Sequence, residues 1–298
     1  MTYIAEAPRI GILGYGFIGK VHHEVIEEEL FGVASGGISK GAHYDLLKVT
    51  AVAETDLSKL GTANEQYRWY GNYVKLLENE HERLDALIVA LPTTLHLAAV
   101  KAITQYKIPF LLEKPLAPTY EEAKEIVQCV EESGTPCMVG LTGRFHPEFV
   151  AAYKSMQNGD LGEVISMQER SHFGLPAEVI RPYLQPEHSG RGIGLENGIH
   201  TMDRLNFFSC SPIVRMEGLT KSNKHLKEPL EDYVAGVAIN DSGMHIPFSL
   251  RWSPHQEEDY VFQITGTEGR LEVEGFKRCT LVKGCGEGNR KVLYEHDL

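Results

Sequence analysis

The fold of this chain turns on RIGILGYGFIGKVHH, Arg9 to His23. Arg9 to Leu13 reads as a short buried strand, and the run from Phe17 reads as a helix. Between them the glycines fall as Gly14-x-Gly16-x-x-Gly19. In a dinucleotide-binding turn the first glycine makes the tight bend. The second lets a pyrophosphate reach the backbone, and the third lets helix pack on strand. The helix N-terminus, opening at Phe17 and Ile18, offers N–H groups and positive dipole to the phosphates. Packing alone can also produce a glycine-rich turn, but this one follows directly on the first strand, which favours the cofactor reading.

Working outward, residues 9 to 143 alternate apolar runs with helical patterns, which predicts a parallel sheet covered on both faces. The strand candidates are Arg9–Leu13, Val49–Ala53, Ala86–Leu91, Phe110–Leu112 and Cys137–Leu141. One predicted helix opens with a capping-box spacing, Thr119 to Glu122, and stops at Gly134. Glu54 ends the second strand, where a carboxylate holds the adenosine ribose hydroxyls and repels a 2′-phosphate. NAD is therefore the expected cofactor, with NADP not excluded. The other reading of Glu54 is a solvated residue at a strand end. Its distance from Gly19 is 35 residues, against the usual ~20. The excess holds FGVASGGISKGAH, residues 31–43, a helix-to-strand loop expected at the sheet edge away from the ligand.

The bulk numbers narrow the function classes. A chain of 298 residues suggests two domains. With 42% hydrophobic and 23% charged residues, it is expected to be globular and soluble. Its net charge of −12, with no basic run, argues against nucleic acid or an anionic membrane as partner. The five cysteines (129, 137, 210, 279 and 285) lack C-x-x-C spacing, which suggests reduced thiols in a cytoplasmic protein. No signal peptide and no apolar run of ~20 residues is visible. Beyond Arg144 the pattern changes to GEVISMQERSHF, VAGVAIN, IPFSLRWS, YVFQITG, GRLEVEG and CTLVKG. These runs alternate apolar with polar residues, as half-exposed antiparallel strands do, and INDSGMH and TGTEGRL read as hairpin turns. The expected architecture is α/β: a Rossmann domain over 1–143, then an α+β domain with a large, mainly antiparallel open sheet over 144–298.

Four segments follow one another in a recognisable order: LDALIVALPTTLHLAAVKAI, KIPFLLEKPLAPTYEEAKEIV, MVGLTGRFHPEFVAAYKSM and GDLGEVISMQERSHFG. With the triplet Glu113-Lys114-Pro115 and the later Gly198-x-His200-x-x-Asp203, the succession resembles the Gfo/Idh/MocA oxidoreductases, from about Arg9 to about Leu271. The resemblance implies an NAD(P)-dependent enzyme acting on a secondary alcohol or ketone of a sugar, cyclitol or related polyol. Other members of such a fold could retain NAD for elimination or glycoside cleavage, or bind a nucleotide without catalysis. It places Leu91, Pro92, Thr93 and His96 along the nicotinamide side, and Glu113 and Lys114 as further cofactor contacts at the carboxyl end of their strand. It also implies a homodimer or homotetramer through the outer face of the second sheet.

Glu196, His200 and Asp203 stand at spacings of four and three, so one helical face could carry all three. A metal site would need further ligands, and none is expected. A second reading has Asn197 capping a helix whose Ile199, Met202, Leu205 and Phe208 are buried. The resemblance gives a third, in which His200 takes the proton of a substrate hydroxyl and Lys114 stabilises the developing alkoxide. Glu196, the third catalytic residue in this reading, then stands where the family has aspartate, keeping the charge and extending its reach by ~1.5 Å, so that either the substrate sits differently or the carboxylate folds back and only tunes His200. Arg144, His172 and Arg191 are candidate substrate contacts. For Arg144 the competing reading is an interdomain salt bridge. Arg191, with Arg181, is either an anion contact or a solvent-exposed loop residue.

Overall fold

The computed structural model describes residues 7–27, 47–56, 58, 67–174, 192–222, 230–253, 258–284 and 289–296. The chain divides after Gly140 into two compact units.

In the first unit the strands are β1 (Arg9–Leu13), β2 (Lys48–Ala53), β3 (Arg68–Tyr70), β4 (Ala86–Val89), β5 (Phe110–Leu112) and β6 (Cys137–Val139). They form one sheet in the order β3-β2-β1-β4-β5-β6, every pair parallel. Both faces are covered, which is why Ile12, Leu13, Val49, Val52, Val89 and Leu112 are fully buried rather than alternately so. The helix α1 (Phe17–Glu27) adds Ile26 to the cluster of Ile12, Val49 and Val52 on one face. On the other face α2 (Tyr73–Glu80), α3 (His96–Tyr106) and α4 (Tyr120–Ser133) bury Leu76, Leu77, Val100, Ile103 and Ile126. Thr119 Oγ1 accepts the Glu122 N–H at 3.3 Å, and Gly134 ends α4 at φ 65°, as its spacing predicts. The strand order reverses between β1 and β4, so the turns following them part at the carboxyl edge and leave a ligand crevice there.

β3 and α2 are additions to the elements read from sequence. Three residues are too few to show a period, and a distant partner holds them: the buried Glu80 carboxylate accepts from the Arg68 guanidinium and the Tyr70 hydroxyl. The glycine-rich segment 31–43 lies outside the described residues.

The second unit begins with a 3₁₀ turn (Thr142–Phe145), α5 (Pro147–Gln157), β7 (Val164–Phe173), α6 (Ile193–Glu196) and α7 (Gly198–Phe208). Seven strands follow: β8 (Ile213–Lys221), β9 (Tyr233–Asn240), β10 (His245–Trp252), β11 (Asp259–Gly266), β12 (Arg270–Glu274), β13 (Arg278–Val282) and β14 (Arg290–Glu295). The eight strands run in the order β14-β13-β12-β11-β7-β10-β9-β8, antiparallel except for β7 beside β10. Alternation builds a two-faced sheet: Phe248, Leu250, Trp252, Phe262 and Ile264 cluster with Phe149 of α5 and Leu205 and Phe208 of α7. Both predicted hairpins form, β9–β10 and β11–β12. β8 escapes the sequence pattern because all but its first residue are exposed at the sheet edge, and β14 is also largely exposed.

Beneath α7 lies a buried ion pair. Arg204 grips Glu169 of β7 through two nitrogens, and the Thr201 hydroxyl donates to the same carboxylate at 2.7 Å. Burial works against the charge on Arg204, but the Glu169 carboxylate outweighs it and holds the guanidinium above its ordinary pKa. The rings of Phe149 and Tyr260 also flank it, 5.2 and 5.1 Å away. Removing one partner of such a pair strands a charge, so Glu169→Ala is expected to cost about 3–5 kcal/mol. The exposed Arg9–Asp85 pair is worth at most about 1 kcal/mol. Urea unfolding should therefore show a large fall in stability for Glu169→Ala and a small one for Arg9→Ala. Equal small losses would mean that the buried pair carries no special weight.

Candidate active site

The glycine turn has the steric signature of a phosphate cradle. Gly14 has φ +90°, and a Cβ there would lie 2.5 Å from the Ala90 carbonyl oxygen. A Cβ on Gly19 would overlap the Gly14 carbonyl, so only glycine lets α1 leave β1 this closely. At Gly16 a Cβ would meet no protein atom within 4 Å. The protein thus fills the space beside the first and third glycines and leaves it open beside the second, where a pyrophosphate would approach. Phe17 is exposed and Ile18 half-buried at the start of α1.

Glu54 follows β2 and is 8% exposed, so it is not a solvated strand-end residue. Its carboxylate accepts the N–H of Tyr15, inside the glycine turn, at 3.0 Å and that of Asp56 at 2.9 Å. The acid expected at the ribose is therefore tied directly to the glycine turn.

The turns after β4 and β5 carry the next predicted residues. Leu91 and Pro92 follow β4, and Thr93 opens a 3₁₀ turn leading into α3. His96 is 1% exposed, with Nδ1 3.1 Å from the Leu116 carbonyl oxygen and Nε2 3.0 Å from that of Leu91. Burial holds its pKa below the ordinary value against the pull of these carbonyls. Its ring ties the two turns together. Glu113, also read as a cofactor contact, is 8% exposed and similarly engaged. His22 Nε2 donates to its Oε1 at 2.7 Å, and the Lys114 backbone N–H donates to its Oε2 at 3.1 Å. His22 was visible as the first histidine of GKVHH, yet nothing local links it to Glu113, 91 residues away. Lys114 is half-buried at the carboxyl end of β5.

In the second unit Asn197 interrupts the helix expected to carry Glu196, His200 and Asp203 together. Its side chain does not cap α7; Oδ1 instead accepts from Trp252 Nε1 at 2.9 Å. Glu231 holds α6 from outside, with its carbonyl accepting the Ile193 N–H and its carboxylate that of Gly194. Glu196 ends α6 and is buried. The buried stripe of α7 is Gly198, Thr201, Arg204, Leu205 and Phe208, so the predicted face is rotated toward a charged residue that Glu169 neutralises. Half-buried His200 lies outside that stripe, with its Nδ1 3.7 Å from where a Cβ on Gly143 would lie. Asp203 is bound by both nitrogens of the Arg144 fork, and the guanidinium stacks 4.7 Å from the centre of the Phe207 ring. Arg144 is thus paired inside the second unit, which corrects the interdomain reading and leaves its charge engaged by Asp203.

His172 projects from the sheet face opposite α7, with Arg170, Ser249 and Asp259 around it. Burial, reinforced by Arg251 and Arg170, lowers its pKa to about 4. The fold does not bring it together with His200, because alternation along β7 sends Glu169 and Ser171 toward α7 and His172 away. Arg191 lies outside the described residues. Among the described residues, no group of three or more His, Cys, Asp or Glu could hold a metal ion. No helix there is long and apolar enough to cross a membrane.

Two family models match this arrangement: the oxidoreductase family with an NAD-binding Rossmann fold over residues 8–141, and the GFO/IDH/MocA C-terminal domain over residues 149–272. The chain belongs to the Gfo/Idh/MocA oxidoreductase family. It is 27% identical over 272 residues to a scyllo-inositol 2-dehydrogenase (NAD(+)) of Bacillus subtilis, covering 88% of this chain and 72% of that one. Among solved structures it resembles myo-inositol 2-dehydrogenase from Lactobacillus plantarum, with TM-score 0.76 and 20% identity, covering 96% and 82% of the two chains. A levoglucosan dehydrogenase in complex with NADH and levoglucosan matches with TM-score 0.79 and 18% identity, covering 96% and 79%.

As a Gfo/Idh/MocA member the chain carries an NAD-binding Rossmann domain, and the open space at Gly16 fits that cofactor. Gly16→Ala should leave unfolding within about 0.5 kcal/mol of the parent, since the added methyl meets no protein atom. NAD binding, measured by quenching of intrinsic fluorescence, should weaken at least about tenfold because the methyl blocks close approach of the pyrophosphate. Unchanged NAD affinity would show that the phosphates lie elsewhere.

Proposed function

We propose that this protein is an NAD-dependent dehydrogenase of a secondary alcohol in a cyclic polyol or sugar, with Lys114 and His200 as its catalytic residues. The supporting observation is the relationship, across both units, to dehydrogenases named for inositols. Both the lysine of the Glu113-Lys114-Pro115 triplet and the histidine of Gly198-x-His200-x-x-Asp203 are present here. In this reading the first unit holds NAD and the second supplies substrate contacts.

Bound NAD supplies a hydride acceptor at the nicotinamide C4. The Gly14–Gly19 turn and the α1 N-terminus bind its phosphates, and Glu54 orients the adenosine ribose while disfavouring a 2′-phosphate. Leu91, Pro92 and Thr93 lie on the nicotinamide side. Lys114 hydrogen-bonds the substrate oxygen, and its positive charge stabilises the alkoxide that develops there. His200 accepts the hydroxyl proton, a role suited to an imidazole with an ordinary pKa of ~6.5. Glu196, buried one helical turn earlier in the sequence, tunes His200 without meeting the substrate.

Lys114→Met and His200→Ala should each lower kcat by about 10²–10⁴, and His200→Ala should leave NAD affinity within about twofold. The assay is NADH absorbance against a panel of inositols, aldoses, sugar acids and anhydrosugars. Accumulating NADH identifies a net dehydrogenase; turnover without it would sink this reading in favour of an enzyme that retains its cofactor. Full activity in His200→Ala would remove that residue from the mechanism.

The same reading makes the protein a homodimer or homotetramer through the outer face of the second sheet. Leu219 is 81% exposed there, beside the half-buried Ala235, Val237 and Ile239. Leu219→Glu with Val237→Glu should shift the mass measured by light scattering to that of a monomer. A parent protein that is itself monomeric would end the proposal.

A further inference from the structure

We propose that His22 is a positioning residue for Lys114, acting through Glu113. The inference rests on the catalytic role given to Lys114 above.

Three elements converge on the Glu113 carboxylate. From the second turn of α1, His22 Nε2 donates to Oε1 at 2.7 Å. From the end of β5 itself, the Lys114 N–H donates to Oε2 at 3.1 Å. Gly140, just beyond β6, provides the floor: a Cβ there would lie 2.9 Å from Oε1, 3.0 Å from Cδ and 3.1 Å from Oε2. The glutamate side chain at position 113 is 11% exposed, so the carboxylate sits in a fitted slot and each oxygen already has a protein donor.

This geometry sets the direction in which Lys114 leaves the strand. The hydrogen bond from the Lys114 amide to Oε2 fixes the peptide plane between residues 113 and 114, and that plane orients the lysine Cα–Cβ bond. The bond holds only while the Glu113 carboxylate keeps its rotamer, and His22 is the side-chain donor that keeps it there. A cationic group displaced by ~1 Å from a developing alkoxide can lose about 10²-fold in rate. α1 also begins at the phosphate-binding turn, so His22 links the element that grips the cofactor to the strand end that carries the lysine. A merely structural pair would affect stability. A positioning pair affects kcat at constant cofactor affinity.

The test compares His22→Leu, His22→Gln, Lys114→Met and the double variant His22→Leu/Lys114→Met in the full chain. Glutamine is the conservative replacement because its Nε2 lies at nearly the reach of the histidine Nε2 and can donate to the same oxygen. The expected result for His22→Leu is a fall in kcat of about 10–100-fold, with the NAD dissociation constant within about twofold of the parent. His22→Gln should recover kcat to within about threefold of the parent. The double variant should be no slower than Lys114→Met alone, since the histidine acts only through the lysine. Parental kcat in His22→Leu, no recovery in His22→Gln, or additive losses in the double variant would each overturn the inference. If His22→Leu does not fold, Glu113→Gln takes its place. Its amide sets an N–H against one of the two donors, and the same loss of kcat is expected; parental kcat would overturn the inference. Parental activity in Lys114→Met would instead overturn the catalytic assignment of the lysine, and the inference with it.

Discussion

The carbonyl oxygen of Gly14 occupies the place where a side chain on Gly19 would begin, and the first unit is organised around that close approach. It brings α1 down onto β1, aims the helix N-terminus at the carboxyl edge of the sheet, and turns the Tyr15 N–H toward Glu54. The same placement carries His22 across to Glu113. One backbone contact therefore sets the positions of the α1 N-terminus, Glu54 and the turn that carries Lys114. Its cost is the permanent exclusion of side chains at two positions, and Gly14 must also hold a φ that other residues rarely adopt.

The second unit depends on a different kind of constraint. α7 is fixed to the sheet less by its apolar residues than by Arg204, which is buried between aromatic rings and neutralised by Glu169. Leu205 and Phe208 flank it, each worth about 1.5–3 kcal/mol on burial, but apolar contacts tolerate small rotations of a helix. A guanidinium–carboxylate fork does not, because its two hydrogen bonds share one plane. Arg204 follows His200 by one turn on the same side of α7, so the fork fixes the rotational setting of the histidine as well. Arg144 and Asp203 add a second fork, so the charges of this helix act as alignment pins.

What the sequence disclosed was whatever acts locally. The three glycines, the Thr119 cap, Gly134 and the alternating strands of the second half each depend on neighbours within a few residues. Glu54 was legible for the same reason, as the residue that ends a strand. What stayed hidden depends on partners far along the chain. β3 is three residues long and is anchored by Glu80; His22 and Glu113 are 91 residues apart; Glu231 holds a turn 37 residues before it. Periodicity named Ile199, Met202, Leu205 and Phe208 as the buried face of α7 and left out Arg204, since an apolar pattern cannot register a charge that is neutralised by another strand. His96 was read as a cofactor contact from its place in the motif, and its two carbonyl neighbours come from separate turns.

β7 is the first strand of the second sheet to be made, yet it lies in the middle of that sheet. Its partner Ser249 on one side stands 77 residues after His172, and Asp259 on the other stands 89 residues after Arg170. Strands β8 to β10 and β11 to β14 can each zip as local hairpins, but neither group can close on β7 until β10 and then β11 have been made. During translation β7 therefore waits with both edges unpaired and with Glu169 not yet covered by the finished sheet. Contact order makes the closing of two meanders around a strand made long before them the expected slow step in assembling this unit.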